Sequence, residues 1–149
     1  MVYNLGATSI WLPDHWEDKT IIAFSAPAKH PEHVPENVVI NRDQLAIVRG
    51  GQLEDFDNYI ERQINALEDK IPQFRRLTPE FIVENHPARR EIAFVWRTAQ
   101  TTLRQSMIVT HYRPPDIATL TFTCHEREFS QLKPEFEAIL KSIDLSRFE

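Results

Sequence analysis

Two groupings in this sequence carry residue types that do chemistry. The first is the stretch Ser25 to Glu36, where His30, Glu32, His33 and Glu36 lie close together among Pro27, Pro31 and Pro35. A His-x-x-His pair can ligate zinc, but a structural site needs about four ligands. The remaining candidates, His111, Cys124 and His125, show no paired spacing. The pattern predicts a solvated Pro/His-rich loop and no metal. The second grouping is Cys124-His125, a thiol next to a base. Neighbouring residues in a strand point to opposite faces, which keeps a nucleophile and its base apart. There is no glycine-rich phosphate loop, since only Gly50 and Gly51 cluster, and no Gly-x-Ser-x-Gly elbow. Glu54, Asp55, Asp57, Glu61, Glu68 and Asp69 read as the solvated face of a helix, with the acids near its start suited to the positive end of the helix dipole. These residues assemble no catalytic constellation; the contrasting expectation, a metal-dependent or thiol enzyme, predicts activity lost in Cys124→Ala or His33→Ala.

The elements that carry these residues follow from hydrophobic periodicity. Leu53, Phe56, Ile60, Ile64, Leu67 and Ile71 recur at three- and four-residue steps, which predicts one long helix between the Gly50-Gly51 pair and Pro72. Tyr59, Gln63 and Ala66 lie on its shoulder, and together with Leu67 and Ile71 they suit a second apolar surface. Ile10 to Asp18 reads as a short strand and a turn at Pro13-Asp14. Lys19 to Phe24 is a strand with Ile22 and Phe24 on one face and Ile21 and Ala23 on the other. A sheet with one wet face alternates apolar with polar, so both faces of this strand are expected to be covered, by this chain or by a partner.

Asn37 to Arg42 is the next strand, followed by a linker, Asp43 to Gly51. Short strands are expected within Gln73 to Leu77 and Pro79 to Glu84, then a turn at Asn85 to Ala88. Arg90 to Thr98 places Ile92, Phe94 and Trp96 on one face. Leu103 to Tyr112 places Leu103, Gln105, Met107 and Val109 on one face. After a hairpin turn at Arg113 to Asp116, Ile117 to Cys124 splits into Ala118, Leu120, Phe122 and Cys124 against Ile117, Thr119, Thr121 and Thr123. Phe129, Leu132, Phe136, Ile139, Leu140 and Ile143 predict a final helix that begins or breaks near Pro134. Strands, helix, strands and helix in this order predict α+β: an antiparallel sheet with helices packed on it.

Bulk properties agree with one globular domain over residues 1–149. A net charge of −5 argues against nucleic acid as a partner. A single cysteine allows no internal disulfide and favours a cytosolic setting. The first residues show no secretion signal, and no stretch approaches the length of a membrane span, so direct membrane insertion is not expected. What stands out is a surplus of apolar side chains on strand faces: Ile21, Ala23, Val39, Leu103, Met107 and Ile117. Contiguous apolar surface of this kind marks a partner site.

The sequence resembles the Eag-type chaperones of bacterial type VI secretion, within the DcrB-like group of the Mog1/PsbP-like fold. The resemblance is carried by Leu12 to Phe24 (LPDHWEDKTIIAF), Val39 to Asp43 (VINRD), Tyr59 to Gln63 (YIERQ), Ile71 to Phe74 (IPQF), Phe94 to Trp96 (FVW) and Leu103 to Gln105 (LRQ), in family order over nearly the whole chain. It implies a homodimeric, cytoplasmic α+β protein without enzymatic activity or cofactor. It implies binding of the N-terminal transmembrane helices of a secreted type VI effector, a PAAR or Rhs-type toxin, before loading onto the spike. Position by position, the effector-helix groove falls on Ile21, Ala23, Val39, Gln63, Leu67, Ile71, Leu103, Gln105, Met107 and Ile117. A charge at Ile21 or Leu103 is then expected to leave the fold intact and abolish client binding. The contrasting expectation, from elsewhere in the fold group, is a small-ligand-binding or accessory protein with a closed pocket.

Overall fold

The computed structural model describes residues 2–5, 8–16, 21–81 and 88–143. Its frame is a six-stranded, wholly antiparallel sheet in the order β3-β4-β8-β7-β6-β5. The strands are β3 (Ile21–Ser25), β4 (Asn37–Gln44), β5 (Arg75–Leu77), β6 (Arg89–Arg97), β7 (Thr102–Arg113) and β8 (Asp116–His125). Two helices, α1 (Phe56–Lys70) and α2 (Phe129–Ser142), pack on opposite faces. A separate two-stranded ribbon, β1 (Val2–Leu5) with β2 (Thr8–Trp11), precedes them. The α+β architecture is the one the hydrophobic pattern predicts.

Period-two alternation divides the core into two halves. Ile92, Phe94, Val109 and Ile117 meet Tyr59, Ile60 and Ile64 of α1, with Leu45. The alternate residues Ile108, Leu120, Phe122 and Cys124 meet Phe129 and Phe136 of α2, with Val38 and Phe81. Phe122 stacks on Phe136 at 4.7 Å between ring centroids, and Phe81 sits edge-on to Phe129 at 5.8 Å. The Arg104 guanidinium covers the Phe129 ring at 3.7 Å, so the start of α2 is fixed by both packing and a cation–π contact.

Helix α1 is shorter than its apolar spacing suggests. Leu53 fits the periodicity but pairs instead with Ile47 in an isolated bridge. Gly50 and Gly51, at φ 85° and 77°, make the left-handed turn that this fold-back requires. Asp55 then caps the helix, its Oδ1 accepting the Asn58 N–H at 2.8 Å. Ile71 is the C-cap rather than a helical residue. Asp43 and Gln44, expected in a linker, extend β4 by pairing with Ile117 and Asp116.

Helix α2 corrects a second boundary. It begins at Phe129, after a 3₁₀ turn over Glu126–Glu128, and runs through Pro134. Phe129 and Phe136 are both buried, so core packing on either side holds the helix together despite the hydrogen bond lost at the proline. Among the described residues between α1 and β6, only Arg75–Leu77 forms a strand, and Pro79 to Phe81 does not. The expected strand over 82–84 and the turn residues 85–87 lie outside the described residues.

Strand β3 is expected to be covered by this chain or by a partner. All five of its residues are exposed, and among the described residues β4 is its only ladder partner. Neither face is covered by the described residues of this chain, so any cover comes from elsewhere.

Candidate functional site

Strand register assembles the face that carries α1. Ala23 pairs with Val39, Val39 with Thr121, Thr121 with Met107, and Met107 with Ile92. One row along lie Ser25, Asn37, Thr123, Gln105 and Phe94, and one row the other way lie Ile21, Asn41, Thr119 and Val109. Strand alternation therefore puts all seven strand residues of the expected groove on this face. Helix α1 packs over β6 and β7 and over Ile117 at one end of β8. The β3–β4 half stays open.

The start of α1 is tied down by polar contacts. The Tyr59 hydroxyl donates to Asp43 Oδ2 at 2.8 Å, which joins the helix to the end of β4. Burial, then the hydrogen bond to Asp43, pushes the Tyr59 phenol above its ordinary range. Arg62 lies over the Tyr59 ring at 5.2 Å and donates from Nε and Nη2 to the two oxygens of Glu54. That hydrogen bond outweighs desolvation and holds the Glu54 carboxyl below its usual range. Gln63 follows Tyr59 by one helical turn and so continues the helix flank that faces β4.

The expected groove residues divide into three groups. Ile21, at 66% exposure, and Ala23 are open to solvent. Val39, Gln63, Leu67, Ile71, Gln105 and Met107 are half-buried. Leu103 at 5% and Ile117 at 0% are sealed inside the subunit. Ile117 belongs to the core under α1, where a docked surface does not reach it. The expectation that a charge at Leu103 leaves the fold intact is therefore withdrawn: the residue is interior, and a buried unpaired carboxylate is strongly destabilising.

The glutamines differ. Gln105 accepts from Trp96 Nε1 at 2.8 Å and donates to Thr123 Oγ1 at 3.0 Å, which leaves it one N–H and part of its acceptor capacity. Gln63 makes no side-chain hydrogen bond among the described residues. Sequence reasoning missed Thr121, half-buried between Val39 and Met107, as a site residue; Thr119 at 4% and Thr123 at 8% exposure are enclosed. The signal was present: Thr119, Thr121 and Thr123 alternate along β8, opposite an apolar set.

The histidine loop resolves differently from either sequence reading. Its His33 meets His125 of β8, with rings stacked at 5.1 Å, and Glu128 completes a cluster of three ligand-type groups whose atoms lie within 4.8 Å of one another. Each imidazole is already occupied. The Lys29 N–H donates to His33 Nδ1 at 3.3 Å, and His33 Nε2 lies 3.0 Å from Glu128 Oε1. The Val34 N–H donates to His125 Nε2 at 3.1 Å, and His125 Nδ1 lies 2.9 Å from Thr101 Oγ1. A ligating histidine normally donates its far N–H to an oxygen. Here a backbone N–H points at one nitrogen of each ring, which fixes the tautomers for hydrogen bonding and leaves no free lone pair. This arrangement suits a latch that holds the β3–β4 loop against the sheet. Burial would raise the Glu128 carboxyl, but hydrogen bonds from His33 and Lys29 hold it below the ordinary range.

Cys124 and His125 lie on opposite faces of β8, as the alternation predicts: Cys124 is in the α2 half of the core and His125 is in the latch. Burial pushes the thiol up to about 12.

A six-stranded antiparallel sheet with one helix on each face and a half-open α1 side defines an α+β fold. The chain belongs to the DcrB family, whose model matches residues 8–142. Among solved structures it is similar to PA94, a Pseudomonas aeruginosa protein of unknown function, with a TM-score of 0.74 at 22% identity, covering 97% of this chain and 95% of that one. A weaker likeness, at a TM-score of 0.46 and 9% identity over 80% of each chain, is to LpqN, involved in cell envelope biogenesis of Mycobacterium tuberculosis. A search of curated proteins finds no match. Among the described residues, no helix is long and apolar enough to cross a membrane.

Proposed function

We propose that this protein is a cytoplasmic chaperone that shields the N-terminal transmembrane helices of a type VI secretion effector, a PAAR or Rhs-type toxin, until it is loaded onto the spike. The observation that carries the reading is the open half-face: Ile21, Ala23 and Val39 form an apolar strip beside the Gln63–Leu67 flank of α1. The strip spans three strands, β3, β4 and β8, a width of about 10–15 Å at strand spacing, and one helix is about 10 Å across. β3 has five residues and is about 17 Å long, so the strip covers about half of a ~20-residue membrane helix.

Such a helix is insoluble alone, and its burial contributes roughly 25 cal/mol per Å² of apolar area. Small residues permit close helix approach, and Ala23 and Thr121 supply them on the chaperone side. Gln63 has a spare amide for a polar group or exposed carbonyl of the client.

A homodimer fits the same reading. The β1–β2 ribbon is of a size that is marginal alone in water, and Val2, Ile10 and Trp11 on it are exposed. We assign that surface to the second copy. The contrasting small-ligand role needs enclosed space: the cleft around Ile108 and Leu140 has about 20 Å³, room for about one water, and the larger one beside Phe24 and Glu36, about 200 Å³, opens to solvent.

The test is co-purification with a soluble protein carrying an N-terminal effector transmembrane region. Ile21→Asp changes an exposed edge residue, so the fold stays intact within about 0.5 kcal/mol while client recovery is lost. Undiminished recovery with Ile21→Asp and with Ala23→Asp would overturn the proposal.

A further inference from the structure

On β3, Ile22 and Phe24 point away from the open strip, toward α2. Phe24 is 63% exposed, yet it stands at the mouth of a cleft of about 200 Å³ between the β3–β4 hairpin and α2. Val38, Phe136 and Ile139 give this cleft an apolar lining, and Glu36 and Glu135 add two carboxylates. Among the described residues, neither carboxylate has a hydrogen-bond or ion-pair partner. The nearest lysine of the loop, Lys29, is engaged with Glu128 at 3.5 Å.

Two unpaired carboxylates over an apolar lining match a cation on an apolar stem. Lysine and arginine have that construction, with a hydrocarbon stem and a charged tip. The exposed Phe24 ring adds a face that attracts cations. A neutral or anionic guest would leave both carboxylates without a counter-charge. The cleft also adjoins the open strip. Only β3 separates them, one strand about 5 Å wide with a free edge.

We propose that this cleft binds a lysine or arginine on an apolar peptide segment, namely the basic flank of the client's membrane helix as it leaves the strip and passes around β3. Membrane segments carry such residues at their cytoplasmic ends. The assignment rests on the chaperone reading for the identity of the segment, but the cleft's preference for a cation stands or falls on its own.

The experiment follows backbone amide NMR signals of the full-length protein with three probes of similar shape: 2-phenylethylammonium, 2-phenylethanol and phenylacetate. The ammonium is expected to shift Ser25, Ala26, Asn37 and Ile139, the alcohol to bind about fivefold more weakly, and the acid not to bind. Added salt weakens only the ammonium. Glu36→Gln combined with Glu135→Gln brings the ammonium down to the level of the alcohol, whereas Ile21→Asp, on the other face, leaves the titration unchanged. A designed peptide with a leucine–alanine core and lysine flanks is then compared with its glutamine-flanked twin. The lysine form binds wild type about fivefold more tightly, and the two bind the double variant equally.

Equal response to all three probes, or no response, overturns the proposal. So does movement of the cleft signals with protein concentration alone, which would seat a second copy there. Failure of both peptides to bind, with the ammonium preference intact, counts against the chaperone reading and leaves the cation site standing.

Discussion

Acid should release the latch between the β3–β4 loop and β8, and His125 sets the threshold. Its ring is 3% exposed and holds the Val34 backbone through Nε2, which works only while that nitrogen is unprotonated. Burial lowers its pKa below the ordinary 6.5, with Arg127, His33 and His30 acting in the same direction and Glu128 against it. Lys29 faces the same cluster through Glu128. A histidine whose folded pKa is depressed binds its proton more readily unfolded. Its contribution is therefore fully present above 6.5 and is lost as pH falls from there through the lowered folded value.

One proton changes stability by at most about 1.4 kcal/mol per pH unit. Between pH 6.5 and about 5.5 the loss through His125 is therefore bounded at about 1.4 kcal/mol, whatever the depth of the lowered pKa. Urea unfolding of wild type and His125→Gln, at about pH 7.5, 6.5 and 5.5, measures it. Glutamine can still accept from Val34 but does not titrate. The wild type is expected to lose more stability than the variant over the lowest unit, by no more than about 1.4 kcal/mol. Parallel stability curves would refute the latch.

Two further outcomes test the division between surface and interior. Ile117→Ala, at a site with 0% exposure, should cost about 2–5 kcal/mol in urea unfolding, far more than Ile21→Asp; equal costs would place Ile117 on the docking surface after all. The Cys124 thiol, pushed up to about 12 by burial, should resist alkylation in the native protein near pH 8 and react only on unfolding, and prompt labelling would contradict the buried position.

Alternation along the strands was legible residue by residue. Ile92, Phe94 and Trp96 share a face, and Cys124 and His125 point apart, because a strand's two-residue period needs no tertiary information. Element ends were less legible. Leu53 matched the helical period, but the left-handed Gly50-Gly51 turn sends it into a bridge with Ile47. Leu103 and Ile117 read as surplus apolar residues like Ile21. Which part of the face α1 covers depends on how the helix crosses the sheet, and no residue spacing encodes that. The approach of His33 to His125 joins a loop to a strand far along the chain, so a search for paired spacing could not find it.

Strand β3 has a further consequence for how the molecule breathes. It is held by a single ladder to β4, with all five residues in solvent, so its amides belong to the part of the structure that opens at the least free energy. Hydrogen exchange there will be fast in the isolated subunit and slow once a guest lies across it. Guest affinity will then include the work of ordering this strand, and any substitution that stiffens the β3–β4 hairpin will tighten the complex without touching the guest.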